Sequence, residues 1–381
     1  MKFMGCSVAF EEQCCVDVTA NRNRLMKGAN WFKNGFTVSL LKTGKRLLLA
    51  VMFMALSGAM SAQTIYYWIG GTSGNYNDGN NWSTTVGGSA VGSNPGTNNS
   101  IVFVVDGADI SSAPGLQTGN VTIRLPNNNM KNGGWRIVNN ANVTLNHSST
   151  NNARGLTLDD QTGIELLVET GCVLDVSYMW RIILSNNSSS EINGELIING
   201  NTYTWNNNSV MVTVNGTITN TGALISSSTS TLRFNPSSVY NHDRYGGAIP
   251  TAVWDATSTV NVNKISNATL AGFNQTFGNL NLNGADITWN RIVSLSGHTV
   301  VQGNFYIRGS SPRTLTLLTG DFNFTVNGTT TIDNYGVIND DNINRLNRFD
   351  GLVTIAPNGS FNVSPGVSEF RGGNNKQRYI Y

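Results

Sequence analysis

Charge is scarce in this chain of 381 residues. Lys, Arg, Asp and Glu together make up 12% of it, about half the share usual in soluble domains. The formal excess of +2 is not spread evenly. Eight of the 24 Lys and Arg and three of the 22 Asp and Glu fall within residues 1–62, which leaves 16 basic against 19 acidic residues beyond them. That balance provides no electrostatic case for nucleic acid, and no basic amphipathic stretch argues for a membrane surface. Cysteine is nearly missing too. Three of the four, Cys6, Cys14 and Cys15, lie in the first 62 residues. Cys172 stands alone after them, so that part can form no internal disulfide. Cys14-Cys15 has no matching His or Cys cluster, and no zinc-binding or phosphate-loop motif appears anywhere. No apolar run is long enough to span a bilayer, and no helical period appears after residue 62.

What remains is polar, uncharged and rich in strand formers. Gly is high at 41 residues, Asn is far above its usual share, and Val, Ile and Leu recur between them. This is the composition of a strand-rich, turn-rich, secreted protein with enough apolar residues for a core.

Lys42, Lys45 and Arg46 precede the apolar run Leu47–Leu56, and "SGAMSAQ" follows. A basic region, a ten-residue apolar core and a small-residue exit form a secretory signal peptide over 42–62. The core is too short to span a bilayer, so no transmembrane helix is expected after the leader is removed. Cleavage after Ala62 would leave Gln63 first; cleavage after Ser61, with Ala59 three residues before the cut, is the alternative. Residues 1–41 form an extension ahead of the leader that a misplaced start would explain, with Met26 a candidate downstream start.

The stretch "MVTVNGTITNTGALI" (211–225) alternates apolar and polar residues on both sides of Asn215-Gly216. Asn-Gly between alternating segments signals a hairpin, and it equally fits a corner between successive sides of a parallel β-helix. Four segments align on the same pair: "NGELIINGN" from Asn193-Gly194, "NGTITNTGALI" from Asn215-Gly216, "NGTTTIDNYGVIN" from Asn327-Gly328 and "NGSFNVSPGVSEF" from Asn358-Gly359. A second glycine follows in each, at Gly200, Gly222, Gly336 and Gly366. A unit of about 20–30 residues with two or three short strands fits one coil of a stacked solenoid. The fold expected is all-β, a parallel β-helix (β-solenoid) of short irregular coils. An N-terminal cap and first coils would occupy 63–135, repeats 136–370 and a frayed or truncated tail 371–381. Two β-sandwiches with ordinary hairpins are the rival. In the solenoid, Asn193 would stack beneath Asn215 in an amide ladder. The Asn-Gly corners would need positive φ at Gly216 and Gly328.

Two motifs carry a family resemblance. "YYWIGGTSGNYNDGNNWSTT" (66–85) holds Trp68, Gly70, Gly71, Asn81 and Trp82. "AVWDATSTVNVNKISNATLAGFNQTFGNLNLNG" (252–284) holds Trp254, Ser258, Thr259, Val260, Phe277, Gly278, Asn279 and Leu280. Both resemble stretches of large secreted bacterial surface proteins exported by the type IX secretion system. The resemblance implies β-helical repeats and an adhesin-like surface role, and it supplies no catalytic residue. Such proteins usually end in a sorting domain, whereas this chain ends "RGGNNKQRYIY", which resembles none.

Chemistry is thinly signalled. Asp159-Asp160 and Asp340-Asp341 are the acidic pairs, and His242-Asp243-Arg244, in a loop of "YNHDRYGG" that would form either an acid–base cluster or an exposed connection, is the one compact acid–base group; His147 and His298 read as turn residues. Enzymatic action would need such groups on one face of neighbouring coils. Adjacent strand residues point to opposite faces, so solvated turn aspartates are the plainer reading. "NYNDGNN" (75–81) concentrates oxygen ligands around Asp78 without calcium-loop spacing. Tyr178 with Trp180, and Tyr203 with Trp205, would each share a strand face. Turned inward they fill the core; turned outward they offer rings for sugars. The reading that follows is a non-catalytic secreted or cell-surface scaffold, structural or adhesive. It needs no cofactor, and its partners would be extracellular glycans or cell-surface components. The alternative is a carbohydrate-active β-helix enzyme or a glycan-binding module.

Overall fold

A computed structural model describes residues 63–380, apart from 109–119, 148–154, 160–162, 179–181, 185–188, 199–203, 208–210, 342–343, 364–366 and 373–376. The extension 1–41, the leader 42–62, Gly200 and Gly366 lie outside the described residues. One compact unit begins at Gln63.

The unit is a parallel β-solenoid with three sides. Every third strand along the chain joins the same side, and neighbours in a sheet come from successive coils. The first side is a nine-stranded sheet, from Trp82–Ser83 and Thr64–Trp68 to Val253–Trp254, continued by a six-stranded sheet from Thr276–Phe277 to Gln377–Ile380. The second is a single 12-stranded sheet from Ser73–Asn75 to Val353–Ile355. The third is built in three pieces: five strands (Met130–Asn132 to Leu224–Ser226), two (Gly247–Ala248 and Leu270–Ala271) and four (Arg291–Ser294 to Ser360–Val363).

The stretch 211–225 shows why alternation yields this fold. Val212–Val214 pairs in parallel with Ser189–Ile192, Ile192 lying beside Val214. Thr217–Asn220 pairs in parallel with Glu195–Ile198, Leu196 beside Ile218. The two strands around Asn215-Gly216 therefore belong to different sides, and the hairpin and sandwich readings are excluded. Val212, Val214 and Ile218 point inward and are fully buried, while Thr213 and Thr219 point outward. A coil cannot bury its inward residues alone, so each rung of Val, Ile, Leu or Phe is covered by the next. The resulting core runs unbroken from Trp68 to Phe349.

Both ends depart from the parallel rule. Thr64–Trp68 pairs antiparallel with Trp82–Ser83, and Trp68, Tyr76, Trp82, Phe103 and Trp135 pack with ring centroids 4.7–6.4 Å apart. The indole of Trp68 donates to Gly71 O (2.8 Å) and that of Trp82 to Tyr76 O (2.8 Å). Gly70 and Gly74 leave room for Asn81, whose amide would lie 2.6 Å from a Cβ at either position. The motif at 66–85 thus closes the apolar end of the first coils. At the other end the tail is not frayed throughout: Gln377–Ile380 pairs antiparallel with Val367–Phe370.

Two expectations about the corners need correction. Neither Gly216 nor Gly328 is among the positive-φ glycines. Glycine is required there by the stacked backbone. A Cβ at Gly216 would sit 2.6 Å from Asn193 O and closer still to Gly194 O, and one at Gly328 would collide with Gly303 O. The four Asn-Gly pairs also do not form one column. Asn193-Gly194, Asn215-Gly216 and Asn327-Gly328 turn the chain from the first side to the second. Asn358-Gly359 turns it from the second side to the third, where Asn358 stacks on Asn334 (3.4 Å). Asn-Gly marks corners here without distinguishing between them.

Candidate functional site

The sequence-level acid–base candidates are not brought together. Asp159 is buried, follows a third-side strand and is ion-paired with Lys131. Asp160 lies outside the described residues. Asp340 is fully buried and accepts from Ser368 Oγ (2.6 Å), whereas Asp341 is exposed and accepts from Gly320 N (3.2 Å). Opposite orientation of the adjacent pair follows from the strand period. Along the 12-stranded sheet, the coils of Asp159, His242 and Asp340 are separated by four strand spacings in each step, about 19 Å. No two of them can act on one bond.

His242 is not in an exposed loop. It ends the strand Val239–His242 and is fully buried. Its Nε2–H donates to Gly246 O (2.9 Å), which leaves Nδ1 to accept from Tyr240 OH (3.3 Å). Asn220 Nδ2 donates to the same phenol oxygen (3.0 Å) and to Ala223 O (2.9 Å). Burial lowers the His242 pKa from 6.5 to about 4, and the nearby Arg244 guanidinium acts in the same direction. The imidazole is therefore neutral near pH 7 and serves as a buried tie between the second and third sides. His147 likewise ends a strand and is buried, whereas His298 is exposed and accepts from Asn323 N through Nδ1 (3.0 Å). Asp78 caps the 3-10 turn Gly79–Asn81 by accepting from Asn80 N (3.0 Å). Among the described residues no group of three or more His, Cys, Asp or Glu could hold a metal.

The aromatic pairs give no answer. Trp180 and Tyr203 lie outside the described residues. Of Tyr178 and Trp205 only the backbone is described, in register with Asn146 and Ile225.

Outward-facing polar side chains stack in ladders. Asn215 Nδ2 donates to Asn193 Oδ1 (2.6 Å) and Asn235 Nδ2 to Asn215 Oδ1 (2.7 Å), as expected for the corner. On the 12-stranded sheet, Asn281 donates to Asn261 (2.8 Å), Asn261 to Asn241 (2.9 Å) and Asn241 to Thr219 Oγ1 (3.3 Å). Such ladders use each amide as both donor and acceptor along the stack.

The third side carries the feature that sequence reasoning missed. Its pairing breaks between Leu270–Ala271 and Arg291–Ser294, which lie in separate sheets. A cleft of about 340 Å³ opens at the break, lined by Gly246, residues 264–270 and residues 290–294. Lys264 and Arg291 supply its charge, and the lining contains no Asp or Glu. Tyr245 and Trp289 flank it, 61% and 63% exposed, with Ile292 at 67%. Lys264 Nζ lies 5.9 Å from the Tyr245 ring centroid, and the Arg313 guanidinium 5.4 Å from that of Trp289. Part of the signal was present in "ADITWNRIV": Ile292 is out of phase with the inward-facing Ile287 and Val293, whereas Trp289 keeps their phase and is nonetheless exposed.

No family model, curated protein or solved structure matches this chain.

Proposed function

We propose that the chain is exported through its leader and acts outside the cell or on its surface as a non-catalytic structural or adhesive scaffold. The observation that carries this reading is the stack of parallel coils on one continuous core and one 12-stranded side, with a weakly charged, amide-laddered exterior. Such a stack is a rod whose length grows by one strand spacing per coil, about 4.8 Å. It holds repeated shallow features at fixed intervals. The likeness of 66–85 and 252–284 to type IX-exported surface proteins supports the same reading. The enzymatic alternative is disfavoured by the separation of Asp159, His242 and Asp340. The test combines intact mass with surface retention. Exported protein should lack residues 1–62, Lys45 and Arg46 included, and should stay on cells or extracellular matrix after washing. A mature mass retaining the leader, or complete release into the medium, would overturn the proposal.

A further inference from the structure

We infer that the cleft on the third side is a binding site for an acidic polysaccharide, one bearing carboxylates on its sugar rings; this rests on the adhesive reading above and names its ligand class. Three independent features converge there.

The first is charge. Lys264 and Arg291 line the cleft and Arg313 stands beside it, whereas Asp243 and Asp286 lie outside the lining. Asp243 is engaged by Asn263 Nδ2 at 2.7 Å. Arg291 donates through Nη1 to Asn267, which orients its guanidinium at the cleft wall. A guanidinium in the cleft wall is suited to a carboxylate, which can take two of its N–H groups at once.

The second is backbone. Alternate residues of a strand direct their N–H and C=O to opposite neighbours. Gly247 N donates to Thr269 O (2.8 Å) and Ile249 N to Ala271 O (2.9 Å), which commits 269 and 271 to the earlier coil. Arg291 N donates to Thr314 O (2.8 Å) and Leu295 N to Leu318 O (3.0 Å), which commits 291 and 295 to the later one. Leu270, Ile292 and Ser294 therefore turn their backbone groups into the break, where no strand meets them. They offer donors and acceptors suited to sugar hydroxyls.

The third is apolar surface. Among the described residues exposed aromatic rings are scarce, yet Tyr245 and Trp289 both flank this one cleft. Pyranose rings stack on such faces. A cation held within 6 Å of each ring pairs a stacking platform with a carboxylate partner. A neutral glycan would leave the cations unused. An acidic peptide would satisfy them without needing two rings.

The probe is alginate oligosaccharide, which carries a carboxylate on every ring, titrated against the full chain by calorimetry. Cello-oligosaccharide and poly-L-glutamate serve as comparisons. The inference expects alginate to bind in preference to both, and affinity to fall several-fold between low and high salt as the charges are screened. It expects at least a tenfold loss in Arg291→Gln and a several-fold loss in Trp289→Ala, with melting temperatures unchanged. Equal binding of cello-oligosaccharide or poly-L-glutamate, or alginate affinity unaltered in both variants, would overturn the assignment. If Arg291→Gln and Trp289→Ala stay on the surface like the parent while alginate fails to bind, the cleft assignment falls and the scaffold reading stands. Release of the parent itself would fell that reading instead.

Discussion

Replacing Gly216 with Ala tests the stacking physics at its tightest point. Gly216 is not in the left-handed region, so in isolation its backbone would accept Ala without penalty. The obstacle is the coil beneath. The new Cβ would lie 2.6 Å from Asn193 O and nearer to Gly194 O, where ordinary contact begins at 3.4 Å. Relief requires the corner to rise by more than about an ångström, a large part of the ~4.8 Å strand spacing. Four backbone bonds cross that corner: Asn215 N to Ile192 O (2.8 Å), Gly216 N to Ile192 O (2.9 Å), Thr217 N to Gly194 O (2.8 Å) and Val239 N to Gly216 O (2.9 Å). Weakening two of them at about 1 kcal/mol each, with added loss of packing, sets the expected destabilisation at roughly 2–4 kcal/mol. The control is Gly320, where φ is +56° and a Cβ would meet nothing within 4 Å. Gly320→Ala carries only the left-handed penalty of about 1–2 kcal/mol. Urea unfolding of both variants, read by circular dichroism, gives the comparison. A Gly216→Ala protein as stable as the parent, or less affected than Gly320→Ala, would refute the stacked-corner argument.

The remaining predictions concern the buried tie, the ladder and the cap. His242 is held neutral with its pKa lowered from 6.5 to about 4, so the unfolded chain binds the extra proton first. Stability should be fully present above pH 6.5 and decline as pH falls toward 4, by about 3 kcal/mol in all; a flat denaturation midpoint across that window would contradict it. Asn261→Ala removes one amide donor and one acceptor from the ladder and should lower stability by about 1–2 kcal/mol; no change in midpoint would mean the ladder is only ornamental. Trp82→Ala empties the centre of the first aromatic layer and should lower stability by about 3–5 kcal/mol, with loss of near-ultraviolet signal; a smaller effect than Ile218→Val would count against the cap.

The coil was readable in the sequence because burial forces a two-residue period. Val212, Val214 and Ile218 advertise their inward faces, and the spacing of Asn193 and Asn215 places one above the other. The corner mechanism was not readable. Asn-Gly reads as a conformational signal, whereas Gly216 is demanded by a backbone 22 residues away that local sequence does not display. The same limit merged Asn358-Gly359 with the other corner. His242 looked like part of a polar loop because its neighbours Asp243 and Arg244 are charged, while its burial depends on Tyr240 of its own strand and on Asn220 in the preceding coil. The cleft was hidden for a related reason. Trp289, Lys264 and Arg313 are distant in sequence and meet only where two sheets of the third side fail to join.

The central claim is that successive Asn-Gly corners stack in parallel, and a pair of cysteines tests it most directly. Adjacent coils place equivalent Cα atoms about 4.8 Å apart, within the range a disulfide can bridge. Asn193→Cys with Asn215→Cys, oxidised and mapped by peptide mass, should form that bond nearly completely and leave Cys172 reduced in the core. A protein in which this pair stays reduced while Val212→Cys and Thr219→Cys bridge, as the two arms of a hairpin would, contradicts the solenoid and the scaffold built on it.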